Sequence, residues 1–328
     1  MSFTIGVDIG GTNIRAGVVS ETGEIVTTTH RVTDPSDPSR IEVLVAEAIN
    51  ELMAGQEVEG VGVAAAGFVS ADRRNLLFAP NIAWRDHPLA ARLETLIQRP
   101  VVIENDANAA TWAEYRFGNG RGVSDMVMLT LGTGLGGGVV ADGRLIRGAF
   151  GAAAELGHMK LVPNGHYCGC GQEGCWEAYS SGTALAKLAQ STAITDPNGA
   201  MHMVDLARGK PISGAHVTAA ARAGDPVAIR LLRRFGEYLG IGIATLAAVV
   251  DPELVVVGGG IATAASDLIL PSARKAFLSK LSGRGFRGEP RITTAALAND
   301  AGIIGAADSV RTPVRRNHPK RSAARPAV

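Results

Sequence analysis

A short turn of glycine and threonine between two apolar runs occurs twice in this chain. The first is D-I-G-G-T-N at 8–13, and the second is L-G-T-G at 131–134, inside D-M-V-M-L-T-L-G-T-G-L-G-G-G-V-V. Apolar runs on both sides of such a turn are typical of a β-hairpin. Because the pattern recurs, we expect a duplicated α/β architecture in which each lobe carries one of the two hairpins.

Length and composition are compatible with this architecture. At 328 residues the chain can bury the cores of two lobes. The hydrophobic share of 46%, the charged share of 19% and the net charge of +1 favour a soluble globular protein. They give no electrostatic reason to expect a nucleic acid or a membrane as partner. The first residues lack a basic segment followed by a long apolar run, so no secretion signal is predicted.

The order of apolar runs predicts how the chain is divided. The first sixty residues indicate strand, turn, strand, strand, helix and strand, with the helix at 38–53. A long helix is expected at 225–249. The predicted parts are a small lobe at 1–110, a closing helix at 298–310 that returns to it, a large lobe at 111–297 and a disordered basic tail at 311–328. A nucleic-acid-binding arm is the alternative for the tail.

The two glycine turns are candidates for phosphate binding. Gly10 and Gly11 allow backbone N–H groups to approach phosphate oxygens without a Cβ in the way, and Thr12 adds a hydroxyl donor. Asp8 could hold the water shell of Mg²⁺. The first turn has the spacing of neither a dinucleotide motif nor a Walker motif. The alternative to phosphate binding is an ordinary glycine hairpin, and this explanation would have to hold for both turns.

The second turn and a later glycine run complete the candidate nucleotide site. The turn consists of Gly132, Thr133 and Gly134, and the run, which contains Gly259, follows the apolar segment L-V-V-V. Two phosphate-binding hairpins would form a cleft for a triphosphate, and the glycine run would approach its adenosine. A plain strand-to-helix turn is the alternative for the run.

The segment E-N-D-A-N at 104–108 contains the candidate catalytic residue. Asp106 stands where a strand ends and a helix begins, the usual position of catalytic groups in open α/β sheets. A carboxylate there could accept the proton of a hydroxyl that attacks a phosphate. The alternative is that Asp106 only caps the helix. Asn105 could bind a neighbouring hydroxyl, and Asn108 is expected to be solvated.

All three cysteines lie within C-G-C-G-Q-E-G-C. Cys168, Cys170 and Cys175, together with His158 upstream, form the donor set of a closed structural zinc site. Three thiols cannot all form disulfides with one another, so a reducing cytoplasm is expected. His166 is a competing ligand, and a set of buried thiols with a core histidine is the alternative.

Two acidic residues flank the proposed zinc ligands. Glu155 precedes His158, and Glu177 follows Cys175 by two residues. A metal there would hold both carboxylates in a fixed relation, as the recognition of a polyhydroxylated small molecule requires. Solvated surface charges are the alternative.

Together these motifs resemble the ROK family of sugar kinases and repressors, and within it the bacterial glucokinases. The resemblance runs from D-I-G-G-T-N through G-V-A-A-A-G-F-V, V-V-I-E-N-D-A-N-A-A and A-E-L-G-H to C-G-C-G-Q-E-G-C-W-E. It implies an α/β, actin-like ATPase (ribonuclease H-like) fold, whose two lobes close over a cleft. It also implies a homo-oligomer, either a dimer or a tetramer.

The same resemblance implies an activity: transfer of the γ-phosphate of ATP to the 6-hydroxyl of glucose, with Mg²⁺ and structural Zn²⁺. Asp106 would be the general base. The implied sugar contacts are Gly67, Asn105, Asp106, Glu155, His158 and Glu177. Alternatives are a kinase for another hexose or N-acetylhexosamine, polyphosphate as donor, or a sugar-sensing regulator without turnover.

Two positions depart from the family pattern. Asn13 stands where many relatives carry Lys, and the A-A-A-G turn at 64–67 lacks a common Pro. The chain begins directly on the first phosphate strand, without the winged-helix segment of the family's repressors, which favours a kinase.

Overall fold

The computed structural model describes residues 2–312 as a mixed α/β structure. The predicted disordered tail lies outside the described residues from position 313 onward. The strands are β1 (Phe3–Ile9), β2 (Asn13–Ser20), β3 (Ile25–Val32), β4 (Val61–Ala65), β5 (Phe68–Val69), β6 (Leu76–Phe78), β7 (Arg85–His87), β8 (Val101–Asn105), β9 (Met126–Leu131), β10 (Leu135–Ala141), β11 (Arg144–Leu145), β12 (Leu254–Gly258) and β13 (Arg291–Thr294). The α-helices are α1 (Pro38–Met53), α2 (Leu89–Ile97), α3 (Asp106–Phe117), α4 (Gly182–Thr195), α5 (Pro197–Ala207), α6 (Gly214–Arg222), α7 (Pro226–Val250), α8 (Gly260–Lys280) and α9 (Ala301–Ser309). Short 3-10 turns lie at Leu156–His158, Trp176–Ala178 and Ala298–Asp300.

Two five-stranded sheets share one topology. Their orders are β3-β2-β1-β4-β8 and β11-β10-β9-β12-β13. In each sheet the first three strands pair antiparallel and the remaining neighbours pair parallel. The predicted repeat is therefore present in the topology of the sheets, and the actin-like ATPase fold is confirmed.

The described chain forms two compact units. The first consists of residues 2–110, Arg147–Ala153 and 302–312, and the second of Thr111–Ile146 and Ala154–Ala301. The short segment Arg147–Ala153 thus lies in the first unit, a placement that the sequence did not predict.

The core of the first unit lies between its sheet and the helices α1 and α2. Val7 and Val63 on the sheet, Val45 and Ile49 on α1, and Leu93 on α2 are fully buried in one cluster. Helix α1 begins after Asp37, whose side chain accepts the N–H of Arg40, with Pro38 in the first turn. Its bounds agree with the predicted helix at 38–53.

Helix α9 belongs to the first unit and packs against its sheet through glycines. A Cβ at Gly6 would collide with the carbonyl oxygen of Ile303, and one at Gly62 with that of Ala306. Only residues without a side chain permit so close an approach of helix and strand. Ile303 and Ala307 are buried against Val19.

The second unit buries its sheet under α7 and α8 and the smaller helices α4 to α6. Asp225 caps α7 by accepting the N–H groups of Val227 and Ala228. Gly236 and Gly240 on α7 lie directly against the backbone of α8. The predicted long helix at 225–249 is confirmed within one residue at each end. Every helix between residues 2 and 312 is too short or too polar to cross a membrane.

Candidate functional site

The first glycine turn, Gly10 to Thr12, joins β1 to β2 and is exposed. Gly10 donates its N–H to the carbonyl oxygen of Asn13 at 2.9 Å, which closes the turn. The amide of Asn13 donates to the Thr12 hydroxyl oxygen at 2.9 Å. The hydroxyl hydrogen of Thr12 therefore stays free to donate to an external acceptor.

The second turn, Gly132 to Gly134, joins β9 to β10 in the second unit in the same way. Its closing hydrogen bond runs from the Gly132 N–H to the Gly134 carbonyl oxygen at 3.0 Å. The start of α4 holds it from one side, because Gly182 and Thr183 donate their N–H groups to the carbonyl oxygens of Gly132 and Thr133.

Asp106 opens α3 directly after β8, as the sequence predicted. The capping role belongs to its neighbour, since the Asn105 Oδ1 atom accepts the N–H of Asn108 at 3.0 Å. Asp106 itself accepts the N–H of Ala107 at 2.9 Å and remains half-buried. Asn105 therefore fills the role that the capping alternative gave to Asp106.

Asp8 and Asp106 interact within the first unit and both have perturbed acidity. Burial and, to a smaller extent, the nearby charge of Asp106 raise the pKa of Asp8 to about 6, against a smaller opposing effect of Arg15. Burial also raises the pKa of Asp106 above its usual value of 3.8, while the N–H of Ala107 opposes the shift. Raised pKa values in neighbouring carboxylates are typical of sites that handle protons or divalent cations.

Gly67 and Asn105 are connected by a hydrogen bond. The Asn105 amide donates to the Gly67 carbonyl oxygen at 3.1 Å. Gly67 has a φ of 137°, and a Cβ there would collide with the carbonyl oxygen of Phe78. The position therefore requires glycine, and its backbone lies against the residue before Asp106.

A buried ion network lies beneath these residues, and sequence reasoning missed it. The Glu104 side chain is only 2% exposed, and its Oε2 atom accepts from Arg147 Nε at 2.8 Å. Arg73 Nε lies 3.6 Å from the same oxygen. Glu104 Oε1 accepts the N–H of Asn105 at 3.2 Å. No local pattern marks Arg73 and Arg147, because both are far from Glu104 in sequence.

The expectation that Asn108 is solvated was wrong. Asn108 is 3% exposed, and its amide nitrogen lies 3.5 Å from Glu104 Oε1. The Asn108 side chain faces the Glu104 carboxylate, which also belongs to the buried ion network.

The four predicted metal ligands converge in the second unit. One donor atom from each of His158, Cys168, Cys170 and Cys175 lies within 4.8 Å of every other. The Sγ atoms of Cys170 and Cys175 are 3.7 Å apart. Two sulfurs bound to one tetrahedral zinc at about 2.3 Å lie about 3.8 Å apart, so the donor set fits this ion.

The surroundings of the cluster favour His158 over His166. The Nδ1 atom of His158 lies 3.8 Å from Cys168 Sγ. The His166 ring instead packs on Tyr179, with centroids 4.9 Å apart. Lys160 donates to Cys175 Sγ at 3.2 Å, a contact that would offset the negative charge of three thiolates.

The two flanking acids differ in their surroundings. Glu155 is exposed at the start of the 3-10 turn that contains His158. Glu177 is half-buried, and its Oε2 atom accepts the N–H of Leu135 at 2.9 Å. Its other oxygen lies 3.5 Å from Cys168 Sγ. Glu177 therefore connects the cysteine cluster to the second glycine turn.

Gly259 lies between β12 and α8 and has a φ of 88°. A Cβ at this position would lie 2.7 Å from both the carbonyl carbon and the backbone nitrogen of Leu131, the residue before the second turn. The position therefore requires glycine and lies next to the second turn, and its predicted approach to an adenosine stays a prediction.

The structure groups the predicted site residues by unit. The first unit contains Asp8, Gly10, Gly11, Thr12, Gly67, Asn105 and Asp106. The second contains Gly132, Thr133, Gly134, Glu155, His158, Cys168, Cys170, Cys175, Glu177 and Gly259.

Comparison with known proteins gives consistent matches along the chain. The sequence model of the ROK family matches residues 4–312. A glucokinase of Streptomyces coelicolor is 46% identical over 315 residues, which are 95% of this chain and 99% of the relative. An N-acetylmannosamine kinase of Shigella boydii is 33% identical, covering 93% of this chain and 97% of its own length.

Among solved structures, a ROK family glucokinase from Streptomyces griseus, in complex with glucose and AMPPNP, matches with a TM-score of 0.85 and 46% identity. The match covers 95% of this chain and 100% of that one.

Proposed function

The chain belongs to the ROK family, and on that premise we propose that it is an ATP-dependent glucokinase. The single observation that carries the proposal is the similarity to Streptomyces glucokinases over nearly the whole chain. The placement of Asp106 at the start of α3, with its capping role taken by Asn105, supports a catalytic use of this carboxylate.

Asp106 acts as the general base in this proposal. As the 6-hydroxyl oxygen of glucose attacks the γ-phosphorus, a bond forms between them and the bond from that phosphorus to the bridging oxygen of ADP breaks. The hydroxyl proton passes to the Asp106 carboxylate. A positioned base contributes about 10²–10⁴-fold to such a rate. The raised pKa of Asp106 supports this role, because it favours uptake of the proton.

The glycine turns bind the phosphates of ATP. Backbone N–H groups of Gly11 and Gly134 and the hydroxyls of Thr12 and Thr133 are the donors. The N–H groups of Gly10 and Gly132 close the turns, and these two glycines admit the phosphates because they have no side chain. Donors already in place stabilise charge that develops on phosphate oxygens. The close approach of Gly259 to Leu131 supports a place for the adenosine beside the second turn.

Mg²⁺ fits beside Asp8. Burial and, to a smaller extent, repulsion from Asp106 raise the pKa of Asp8 to about 6. A divalent cation beside the carboxylate would relieve this repulsion, and carboxylate oxygens are ligands that Mg²⁺ prefers. When bound, the ion neutralises charge on the phosphates. In this proposal Asp8 holds its water shell.

Zn²⁺ fits His158, Cys168, Cys170 and Cys175, and four protein ligands leave no open position for catalysis. Its role is therefore structural. Glu155, His158 and Glu177 bind sugar hydroxyls around it, and Gly67 and Asn105 do so beside Asp106. The thiolates require a reducing compartment, which supports a cytoplasmic enzyme. A dimer or tetramer stays a prediction.

A coupled assay of ADP release tests the function directly. We expect the highest kcat/KM with ATP and glucose in a screen that includes mannose, fructose and N-acetylmannosamine, with polyphosphate as a second donor. Asp106→Asn, purified in parallel, controls for contaminating kinases.

A higher kcat/KM with another sugar would make the chain a kinase of that sugar, and the relationship to an N-acetylmannosamine kinase makes this sugar the first competitor. Binding of glucose without ATP consumption would identify a regulator instead.

A further inference from the structure

The nucleotide turn of the second unit is joined to the cysteine cluster by one short stretch of chain. This stretch, the 175–183 segment, begins at the proposed zinc ligand Cys175 and ends in the first turn of α4. Glu177 and Thr183 lie within it, and both contact the turn. A change at Cys175 is therefore only a few residues away from the contacts that hold the turn.

Hydrogen bonds from this segment hold both sides of the turn. At its far side the Leu135 N–H donates to Glu177 Oε2 at 2.9 Å. At its near side Thr183 donates two hydrogen bonds to the carbonyl oxygen of Thr133. One comes from the Thr183 N–H at 3.1 Å and the other from the Thr183 hydroxyl at 2.9 Å. The position of the turn therefore depends on where the 175–183 segment lies.

Glu177 also lies against the cluster itself. Its Oε1 atom is 3.5 Å from Cys168 Sγ, while its Oε2 atom lies close to Gly134 in the turn. One carboxylate thus contacts a proposed zinc ligand with one oxygen and the turn with the other. Its half-buried position makes these contacts less accessible to competing water.

We propose that Glu177 is a positioning residue for the nucleotide turn, through which the state of the cysteine cluster sets the affinity for nucleotide phosphates. The proposal rests on the assignment of this turn to ATP. It adds a role to the sugar contact proposed for Glu177 and predicts that loss of zinc weakens nucleotide binding even when no sugar is present. Because the coupling is thermodynamic, bound nucleotide must also retain zinc more tightly.

Two substitutions of Glu177 test whether the turn depends on the oxygen that accepts the Leu135 N–H. Glu177→Gln keeps an oxygen that accepts the Leu135 N–H, whereas Glu177→Ala removes it. We expect Glu177→Ala to raise the Kd for AMPPNP with Mg²⁺, measured calorimetrically without sugar, by about fivefold or more. Glu177→Gln should stay within about twofold of the unmodified protein. Glu173→Gln, an acid in the same loop, is the matched control and should leave this Kd unchanged.

Measurements on the unmodified protein keep the test independent of any folding defect in the variants. Removal of zinc by a chelator should raise the same Kd, and AMPPNP should slow the release of zinc to a chromogenic chelator.

An AMPPNP Kd of Glu177→Ala within about twofold of the unmodified protein would overturn the proposal, as would equal losses in the Ala and Gln variants. A Kd for AMPPNP that does not change when the chelator removes zinc would also overturn the proposal. Failure of the unmodified protein to bind AMPPNP would instead contradict the proposed ATP-dependent function, and this inference with it.

Discussion

The Arg147 guanidinium pairs with the buried Glu104 carboxylate, with 2.8 Å between Nε and Oε2. Arg147 is the first residue of the segment Arg147–Ala153 that lies in the first unit, and Glu104 directly precedes Asn105. The pair therefore fixes this segment to the strand that leads into α3.

Replacement of Arg147 by methionine should destabilise the first unit. Loss of one partner leaves the Glu104 charge buried with Arg73 alone, and breaking such pairs costs about 3–5 kcal/mol. We expect a clearly lower midpoint of urea unfolding and a lower kcat. Arg144→Met, at an exposed position, is the matched control and should change stability by less than about 0.5 kcal/mol. Equal midpoints for the two variants would contradict the structural role of the pair.

Asp106→Asn should lower kcat by about 10²–10⁴-fold while leaving glucose binding in place, because the amide cannot accept the hydroxyl proton. The coupled assay and calorimetry with glucose measure the two effects. In the unmodified enzyme, activity should fall as the pH drops through a value above 3.8, since burial raises the pKa of this base. Substantial turnover by the variant would refute the assignment of the base.

Cys168→Ser should lower both zinc content and glucose affinity, because a serine hydroxyl is a poor zinc ligand and the proposed sugar contacts surround the cluster. We expect at least an approximately tenfold loss of zinc affinity, read from metal analysis and competition with a chelator. Gln172→Ala changes an exposed side chain in the same loop and serves as control. Stoichiometric zinc in a protein with three ligands replaced would disprove the site.

Asp8→Asn should stabilise the protein near neutral pH. The folded protein keeps the Asp8 proton up to a pKa of about 6, whereas the unfolded chain loses it near 3.8. The folded state therefore binds more protons between these values, and its stability falls as pH rises through them. Removing the carboxylate should gain up to about 3 kcal/mol near pH 7.5 and nothing below about pH 3.

Thermal unfolding in magnesium-free buffer at the two pH values measures this gain. Asp205→Asn, on the exposed face of α5, should show no such pH-dependent difference. If the variant were less stable than the unmodified protein near pH 7.5, the charged Asp8 carboxylate would stabilise the folded state, and the prediction would be wrong.

Local patterns were sufficient to predict much of the fold. Both glycine turns, the bounds of α1 and the start of α3 at Asp106 follow from apolar spacing and turn residues, which act over a few positions. The strands β5, β6 and β7 were missed because runs of two or three residues are too short to show alternation.

The candidate site was predictable where its chemistry is local. The cysteine cluster depends on residues of one loop and on a nearby histidine, so spacing alone indicated it. The contacts of Glu104 with Arg147 and of Glu177 with Leu135 join distant positions, and Asn108 is buried against Glu104. Charge pairs of this kind leave no periodic trace in a sequence.

The docking of α9 on Gly6 and Gly62 has a consequence for biosynthesis. The ribosome makes β1 and β4 before the second unit, but α9, which packs on them, is translated only after that unit. A nascent chain must therefore hold this sheet without α9 while the second unit is synthesised. Removal of residues 301–309 would therefore expose the backbone of β1 and β4, which were made long before that helix.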